Sequence, residues 1–339
     1  MPDGAAGEGQ DEIVKGPGAG VTGVDVAGYR GRSTFITGPR KGCGKTSFLN
    51  AVLAGLRRDG ECPGFLGIGF DGESRDALTG GSRPRIRALP GETVLTAERY
   101  LRSSDARFEL LETLPGSGAL GRLVLGRVLR AGEVTLVGPE GNEGAALAMR
   151  LMREEFAVGT ILADGAMNRI TQVSSFEGAR FVFVLRVDRC DLDAQIASMK
   201  RMNFLARLPL VCPLGSCENS DRGSGCGGRD NGGSGEGAPV FIRGPLTSRV
   251  AAGIDAASPI AAGPVAVEDF TKVFLGWREL SAFAARHRLA VRRGIDFAGF
   301  VAILRNLSQA EFLSALDDPE IGALVGFNPF EVAAEADCA

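Results

Sequence analysis

The chain has 339 residues, of which 44% are hydrophobic, and it carries a formal net charge of -3 with a pI near 5.5. This slightly acidic charge balance gives no electrostatic reason to expect a nucleic-acid partner. The sequence has no run of about 18 apolar residues, so no membrane span is predicted. The acidic, polar N-terminus lacks the basic and apolar regions of a secretory signal, which favours a cytoplasmic protein.

The cysteines and the single histidine limit which metal sites and catalytic groups the chain can have. Seven cysteines, an odd number, favour free thiols in a reducing compartment. Cys212, Cys217 and Cys226 lack the paired Cys-x-x-Cys spacing of a zinc site, so no metal site is predicted there. His287 is the only histidine, which leaves little room for histidine-based acid–base catalysis or histidine metal sites, and its place between two arginines predicts a surface position.

The first part of the chain predicts a disordered tail and then a strand, a helix and a second strand. Residues 1–30 hold many glycines and few large apolar side chains, so we expect them to be disordered. The run STFITG predicts a buried strand, and KTSFLNAVLAGLRRDG predicts an amphipathic helix that stops at Gly60. The run GFLGIGF predicts the second strand, which ends at Asp71-Gly72-Glu73.

The middle of the chain alternates between strand and helix patterns. ETVLTAERYL predicts a strand that runs into a helix or loop, and RLVLGRVLRAGEVTLVGP predicts two strands joined at Ala131-Gly132. EGAALAMRLMREEF and DLDAQIASMKRMNFLARL have helical spacing, whereas GTILADGA and RFVFVLRV have the apolar character of buried strands. This alternation predicts an α/β fold with a mostly parallel central sheet and helices on both faces.

A change in composition at residues 213–238 divides the rest of the chain. Nine of these 26 residues are glycine, which predicts a mobile insertion. Ordered structure is expected to resume at APVFIRGPLT and AGPVAVEDFTKVFL, followed by a helix in ELSAFAARH, a strand in RLAVRR and a last short helix in AEFLSALD. We therefore predict one domain over 31–310, interrupted by this insertion, and a C-terminal extension over 311–339.

The stretch GPRKGCGKTS, between the first strand and the first helix, has the character of a phosphate-binding loop. Glycine-rich turns at helix N-termini bind anions because their backbone N–H groups are unpaired and the helix dipole is favourable there. Lys45 is expected to reach the β- and γ-phosphates, and the Thr46 hydroxyl to bind Mg²⁺. The motif predicts a three-layer phosphate-loop NTPase, whose nucleotide contacts are Gly38, Arg40, Lys41, Gly42, Cys43, Gly44, Lys45, Thr46 and Ser47.

The loop is one residue longer than usual, because five residues rather than four separate Gly38 from Gly44. The extra length adds a cation at Arg40 or Lys41. One large class of phosphate-loop proteins has a second lysine here, which contacts the nucleotide across a dimer. The spacing leaves open which of the two residues would take that role, and leaves open that both are solvated loop charges.

Two acidic positions are candidates for the metal and the attacking water. Asp164 ends the apolar strand TILAD, at the carboxyl edge where such sheets bind ligands. Asp71 and Glu73 follow GFLGIGF and are placed like the water- or metal-contacting loop of phosphate-loop switches. The predicted catalytic residues are thus Lys45, Asp71, Glu73 and Asp164, with Thr46 and Asp164 on the metal. The stretch VLRVDRCDLD lacks an Asn/Thr-Lys-x-Asp guanine motif, which favours ATP.

Taken in order, several motifs resemble one family, the ATP-binding reactivase subunit associated with lysine 5,6-aminomutase. The stretches that carry the resemblance are GPRKGCGKT, GFDGES, RPRIRALPGETVLTAE, LLETLPGSGALGRLVLGRVLRAGEVTLVGP, ILADGAMNR and VAVEDFTKVF. The resemblance covers about 35–210 and, less closely, 240–275. The family's loop has the same long spacing with a lysine at the place of Lys41, whereas Gly42-Cys43 replaces its usual Asn-Thr pair.

This resemblance implies an accessory Mg-dependent ATPase. The client enzyme of the family uses adenosylcobalamin and pyridoxal phosphate, and its radical chemistry occasionally inactivates the cobalamin. The reactivase is thought to use ATP to open the client and exchange the cofactor, together with a MutS-like second subunit. A small-molecule kinase or nucleotidase, with GGSRPRIR as a lid, and a non-catalytic nucleotide-binding protein are the alternatives that the residues leave open. A homodimer also stays open.

Overall fold

The structure is a computed structural model that describes residues 25–68, 85–118, 121–139, 141–165, 179–211, 238–257 and 263–327. Asp71, Glu73 and all but the last residue of the predicted insertion 213–238 lie outside these ranges. Residues 25–30, which we assigned to the tail, include a short 3-10 helix at Ala27–Tyr29 that follows the buried side chain of Val26.

Within the described ranges the chain forms fourteen strands and eight α-helices. The elements of the first half are β1 Ser33–Thr37, α1 Lys45–Arg58, β2 Gly64–Gly67, β3 Ile86–Ala88, β4 Thr93–Ala97, α2 Glu98–Ser103, β5 Arg107–Gly118, β6 Gly121–Arg130, β7 Gly132–Val134, α3 Asn142–Arg150 and β8 Ile161–Asp164. Those of the second half are β9 Arg180–Asp188, α4 Leu192–Ala206, β10 Val240–Phe241, α5 Ser248–Ala257, β11 Val265–Val267, α6 Trp277–Ala284, β12 Leu289–Val291, β13 Asp296–Arg305, α7 Gln309–Leu316, α8 Pro319–Gly322 and β14 Val325–Phe327.

A large mixed sheet organises the fold, with nine described strands in the order β14-β13-β9-β1-β8-β2-β4-β6-β5. The strands from β14 to β4 are parallel, and β6 and β5 close one edge as an antiparallel hairpin. The expectation of an α/β fold with a mostly parallel sheet is confirmed. Strand β1 lies between β8 and β9, so the carboxyl ends of these three strands meet at one edge of the sheet.

Apolar side chains pack on both faces of this sheet. Successive residues of a strand point to opposite faces, and neighbours in β1 accordingly join different hydrophobic clusters. Phe35 belongs to the cluster that contains Met149 of α3 and Met199 of α4, whereas Ile36 belongs to the cluster that contains Leu49 of α1. Helix α1 therefore covers one face, directly beside the carboxyl end of β1, and α3 and α4 cover the other.

A second, smaller parallel sheet has the order β10-β11-β12, and α5 and α6 connect its strands. Its last strand forms within RLAVRR, where the sequence predicts a strand, whereas the sequence does not predict a second sheet. Leu210 extends it with an isolated parallel bridge to Val291. Helix α4 packs on α6 and so connects this sheet to the large one.

The C-terminal part departs from our sequence prediction. The sequence indicated AEFLSALD as the last short helix, and α7 does form there, but α8 and β14 follow it. Strand β14 adds to the main sheet beside β13. Asp318 starts α8 by accepting a hydrogen bond from the Ile321 N–H at 3.0 Å, with Pro319 at the first helical position. Within the described ranges, none of the helices combines the length and apolar character that crossing a bilayer requires.

Candidate functional site

The loop from Gly38 to Gly44 leaves the carboxyl end of β1 and leads into α1. Gly38 is buried where a Cβ would lie 2.4 Å from the Val184 carbonyl oxygen of β9 and 2.5 Å from Cys43 Sγ. Contacts that short do not occur, so only glycine allows the chain to turn this closely over β9. The first glycine of the motif is therefore explained by packing.

Two further glycines give the loop its backbone shape. Gly42 and Gly44 have φ angles of 72° and 93°, in the left-handed region that residues with a side chain rarely adopt. Gly44 is the residue before α1, and a Cβ there would lie 2.0 Å from Ile303 Cδ1 of β13. The loop is thereby pressed against the ends of β9 and β13, and α1 begins directly beneath it.

The first turn of α1 points its backbone N–H groups toward the loop. The first intrahelical bond runs from the Phe48 N–H to the Gly44 carbonyl at 2.9 Å, so the amides of Lys45, Thr46 and Ser47 have no acceptor within the helix. No side chain caps this end. Such amides, together with the positive end of the helix dipole, are suited to an anion such as a phosphate group.

The Lys45 ammonium lies back across the loop. Nζ donates a hydrogen bond to the Arg40 carbonyl oxygen at 2.9 Å and is 3.5 Å from Cys43 Sγ. The Cys43 side chain is buried beneath the loop, whereas Lys45 is half-buried. The ammonium is therefore held at the loop itself, against the backbone of residue 40.

A threonine and an aspartate from different elements meet beside Lys45. The Thr46 hydroxyl donates a hydrogen bond to Asp164 Oδ2 at 2.8 Å. The pairing of β8 with β1 fixes this contact, because Asp164 is in register with Ile36 and the next amide, Gly165 N–H, bonds to the Ile36 carbonyl at 3.1 Å. A hydroxyl and a carboxylate side by side are hard oxygen ligands of the kind that Mg²⁺ prefers. The two residues predicted to share the metal thus lie together.

The two cations of the lengthened loop have different environments. Arg40 Nη2 donates to Asp191 Oδ2 at 2.9 Å, which joins the loop to the turn between β9 and α4. Lys41 and Gly42 are exposed. Asp191 was not among the predicted site residues, although its position three residues after a strand beside β1 was a signal that could have identified it.

His287 corrects one expectation from the sequence. Its side chain is buried rather than at the surface, because the ring packs 4.6 Å from that of Phe283 and Nε2 lies 2.7 Å from Asp255 Oδ1. Hydrogen bonds from Arg286 and His287 hold the pKa of Asp255 below its usual value. The flanking arginines suggested a surface position, but the turn after α6 directs the ring between them inward.

Comparison with known proteins provides no relative for this chain, since no family model, curated protein or solved structure matches it.

Proposed function

We propose that the chain is a Mg-dependent ATPase with a three-layer phosphate-loop NTPase fold. The observation that carries the proposal is the hydrogen bond of 2.8 Å between the Thr46 hydroxyl and Asp164 Oδ2, at the residue that follows Lys45 in the loop. Chance occurrence of Gly-Lys-Thr in a glycine-rich chain would not bring a carboxylate from another strand to the threonine hydroxyl. The strand–loop–helix context supports the same reading.

The residues at the start of α1 and Asp164 have defined tasks in this proposal. The amides of residues 44–47 and the Lys45 ammonium bind the phosphates, and Thr46 and Asp164 hold the metal. Mg²⁺ at this position would neutralise charge that builds up on the phosphate oxygens. Asp71 and Glu73, outside the described residues, remain our candidates for orienting the attacking water. The absence of a guanine motif in the sequence supports adenine as the base.

We further propose that the ATPase serves a cobalamin- and pyridoxal phosphate-dependent aminomutase of the lysine 5,6-aminomutase type, as a reactivating factor with a MutS-like second subunit. The support is the series of motifs that resembles the reactivase family, from GPRKGCGKT to VAVEDFTKVF. A partner can stimulate hydrolysis only if it binds the ATP-loaded and free states with different affinity. We therefore expect slow basal hydrolysis that rises when the client binds.

The test measures phosphate release by the purified chain, alone and with an inactivated cobalamin-dependent aminomutase. We expect Asp164→Asn to reduce turnover at least about tenfold, because it removes a metal-binding charge, with little change in the thermal midpoint. Asp296→Asn is the control, since Asp296 is an exposed carboxylate at the opposite, amino-terminal end of β13.

Native turnover in Asp164→Asn would contradict the metal role. Stimulation by the aminomutase together with recovery of its activity would support the reactivase assignment. Rapid phosphate transfer to a metabolite, without stimulation by any such client, would favour the alternative of a small-molecule kinase. The kinase alternative uses the stretch GGSRPRIR as a lid, and in the described part of that stretch Arg85 is paired with Glu133 at 2.8 Å.

A further inference from the structure

Residue 40, in the lengthened part of the loop, is held at both its backbone and its side chain. Its carbonyl oxygen accepts a hydrogen bond from Lys45 Nζ at 2.9 Å, and its guanidinium donates to Asp191 Oδ2 at 2.9 Å. The first contact places the backbone of Arg40 beside the cation that is proposed to meet the phosphates. The second directs its side chain away, to the start of α4.

The acidic partner in this pair is the fixed one. Asp191 Oδ1 accepts a hydrogen bond from the Asp188 N–H at 2.9 Å, and Oδ2 also accepts one from Gln195 Nε2 at 2.9 Å. The side chain of Asp191 is 23% exposed, whereas that of Arg40 is 58% exposed. Asp191 therefore keeps its place whether or not Arg40 is bound, and the more exposed arginine side chain is the one that moves when the pair breaks.

The Arg40 guanidinium would bind a triphosphate more strongly than it binds Asp191. A solvent-exposed ion pair contributes little, because water screens it and both side chains lose freedom. A triphosphate bears several charges and accepts charge-assisted, bidentate hydrogen bonds from a guanidinium, which are among the strongest in proteins. A nucleotide in the loop would therefore compete successfully with Asp191 for Arg40.

We propose that Asp191 is a positioning residue that holds the Arg40 guanidinium beside the phosphate loop and releases it to the phosphates when nucleotide binds. Arg40 is then a second cation of the loop. Asp191 lowers nucleotide affinity by the strength of the pair that must be broken. This inference rests on the proposed ATPase function and adds a residue that regulates the same site.

The test is a double-mutant cycle on Mg-ATP affinity, measured by titration calorimetry and repeated with Mg-tripolyphosphate. We expect Arg40→Gln to weaken binding about tenfold and Asp191→Asn to tighten it about threefold. In the Arg40→Gln background, Asp191→Asn should change affinity by less than about 1.5-fold, because no guanidinium is left to release. Both ligands should respond alike, since the contact is with phosphate.

Two controls keep the result interpretable. Arg207→Gln breaks an exposed ion pair, with Glu320 at 2.8 Å, at the far end of the same helix, and should leave affinity unchanged. Asparagine keeps an acceptor for the Asp188 N–H and suits the residue before a helix. If Asp191→Asn does not fold, Asp191→Ser, which also suits that position, carries the same prediction.

The outcomes distinguish a failure of the ATPase proposal from a failure of the inference about Asp191. Failure of the unaltered chain to bind either ligand would overturn the ATPase proposal and this inference together. Binding that depends on Lys45 but does not tighten in Asp191→Asn would overturn the inference alone. Tightening that persists without Arg40 would also overturn it, because the acid would then act by repelling phosphate directly.

Discussion

Replacing Gly44 with alanine should destabilise the fold through two separable effects. The residue has φ 93°, and a left-handed alanine costs about 1–2 kcal/mol. The new Cβ would lie 2.0 Å from Ile303 Cδ1, and forcing a methyl group into a packed region costs about 1–3 kcal/mol more. We expect urea unfolding to show a total loss of about 2–5 kcal/mol in the free energy of unfolding, with weaker Mg-ATP binding because α1 begins at the next residue.

The chain offers a matched control and a rescue for this prediction. Gly60, after the other end of α1, has φ 78° but has no atom within 4 Å of an added Cβ, so Gly60→Ala reports the backbone effect alone. Ile303→Val removes Cδ1 and should recover part of the loss in Gly44→Ala but none in Gly60→Ala. Equal losses in the two glycine variants, or no rescue by valine, would refute the packing around the loop.

Two further predictions concern stability. Hydrogen bonds from Ser308 lower the pKa of Glu311 from 4.5 to about 2. The contribution of Glu311 to folding stability is therefore complete above pH 4.5 and is lost as the pH falls towards 2. The unfolding midpoint of Glu311→Gln should depend less on pH in that window than that of the unaltered chain, and parallel profiles would contradict this. Arg57→Ala should lower the free energy of unfolding in urea by about 3–5 kcal/mol, because the buried Glu92 carboxylate loses two hydrogen bonds from Arg57, at 2.6 and 2.8 Å. Arg58→Ala, at the neighbouring exposed residue, should change stability little. Equal losses in the two variants would refute this role of Arg57.

The elements around the loop were predictable because their patterns are unambiguous. Strand β1 is a short run of β-branched and aromatic residues, and the apolar positions Phe48, Leu49, Val52 and Leu53 all face the core from α1. The helices α3 and α4 and the strands β8 and β9 also form where the periodicity placed them. Asp164 was predictable because an acid that ends a buried strand reaches the carboxyl edge of the sheet.

The strand β13 was missed although it lies beside β9 in the main sheet. Its sequence DFAGFVAILR mixes alanine, glycine and large apolar residues, a pattern that suits a buried helix or a buried strand equally. Its pairing with β9 decides between them, and that is a long-range contact. Asp191 was missed for the same kind of reason: its contact with Arg40 joins residues 151 positions apart.

The β5–β6 hairpin was predicted only in part. The second strand, RLVLGRVLR, has a strong strand pattern, whereas β5 contains Pro115 and three irregularities in its register with β6. Proline and an interrupted register are tolerated at the edge of a sheet, where β5 lies. An edge strand has only one neighbour to satisfy, so its sequence carries a weaker signal.

The most direct test of the central claim is the affinity of the chain for Mg-ATP with and without the Lys45 ammonium. Titration calorimetry should give saturable binding by the unaltered chain and a loss of about 10- to 100-fold in Lys45→Ala, because charge-assisted hydrogen bonds to phosphate disappear. Lys200→Ala, on α4, is the control and should bind like the unaltered chain. Equal affinity in Lys45→Ala and the unaltered chain, or no binding by either, would contradict the assignment of residues 38–47 as a nucleotide site.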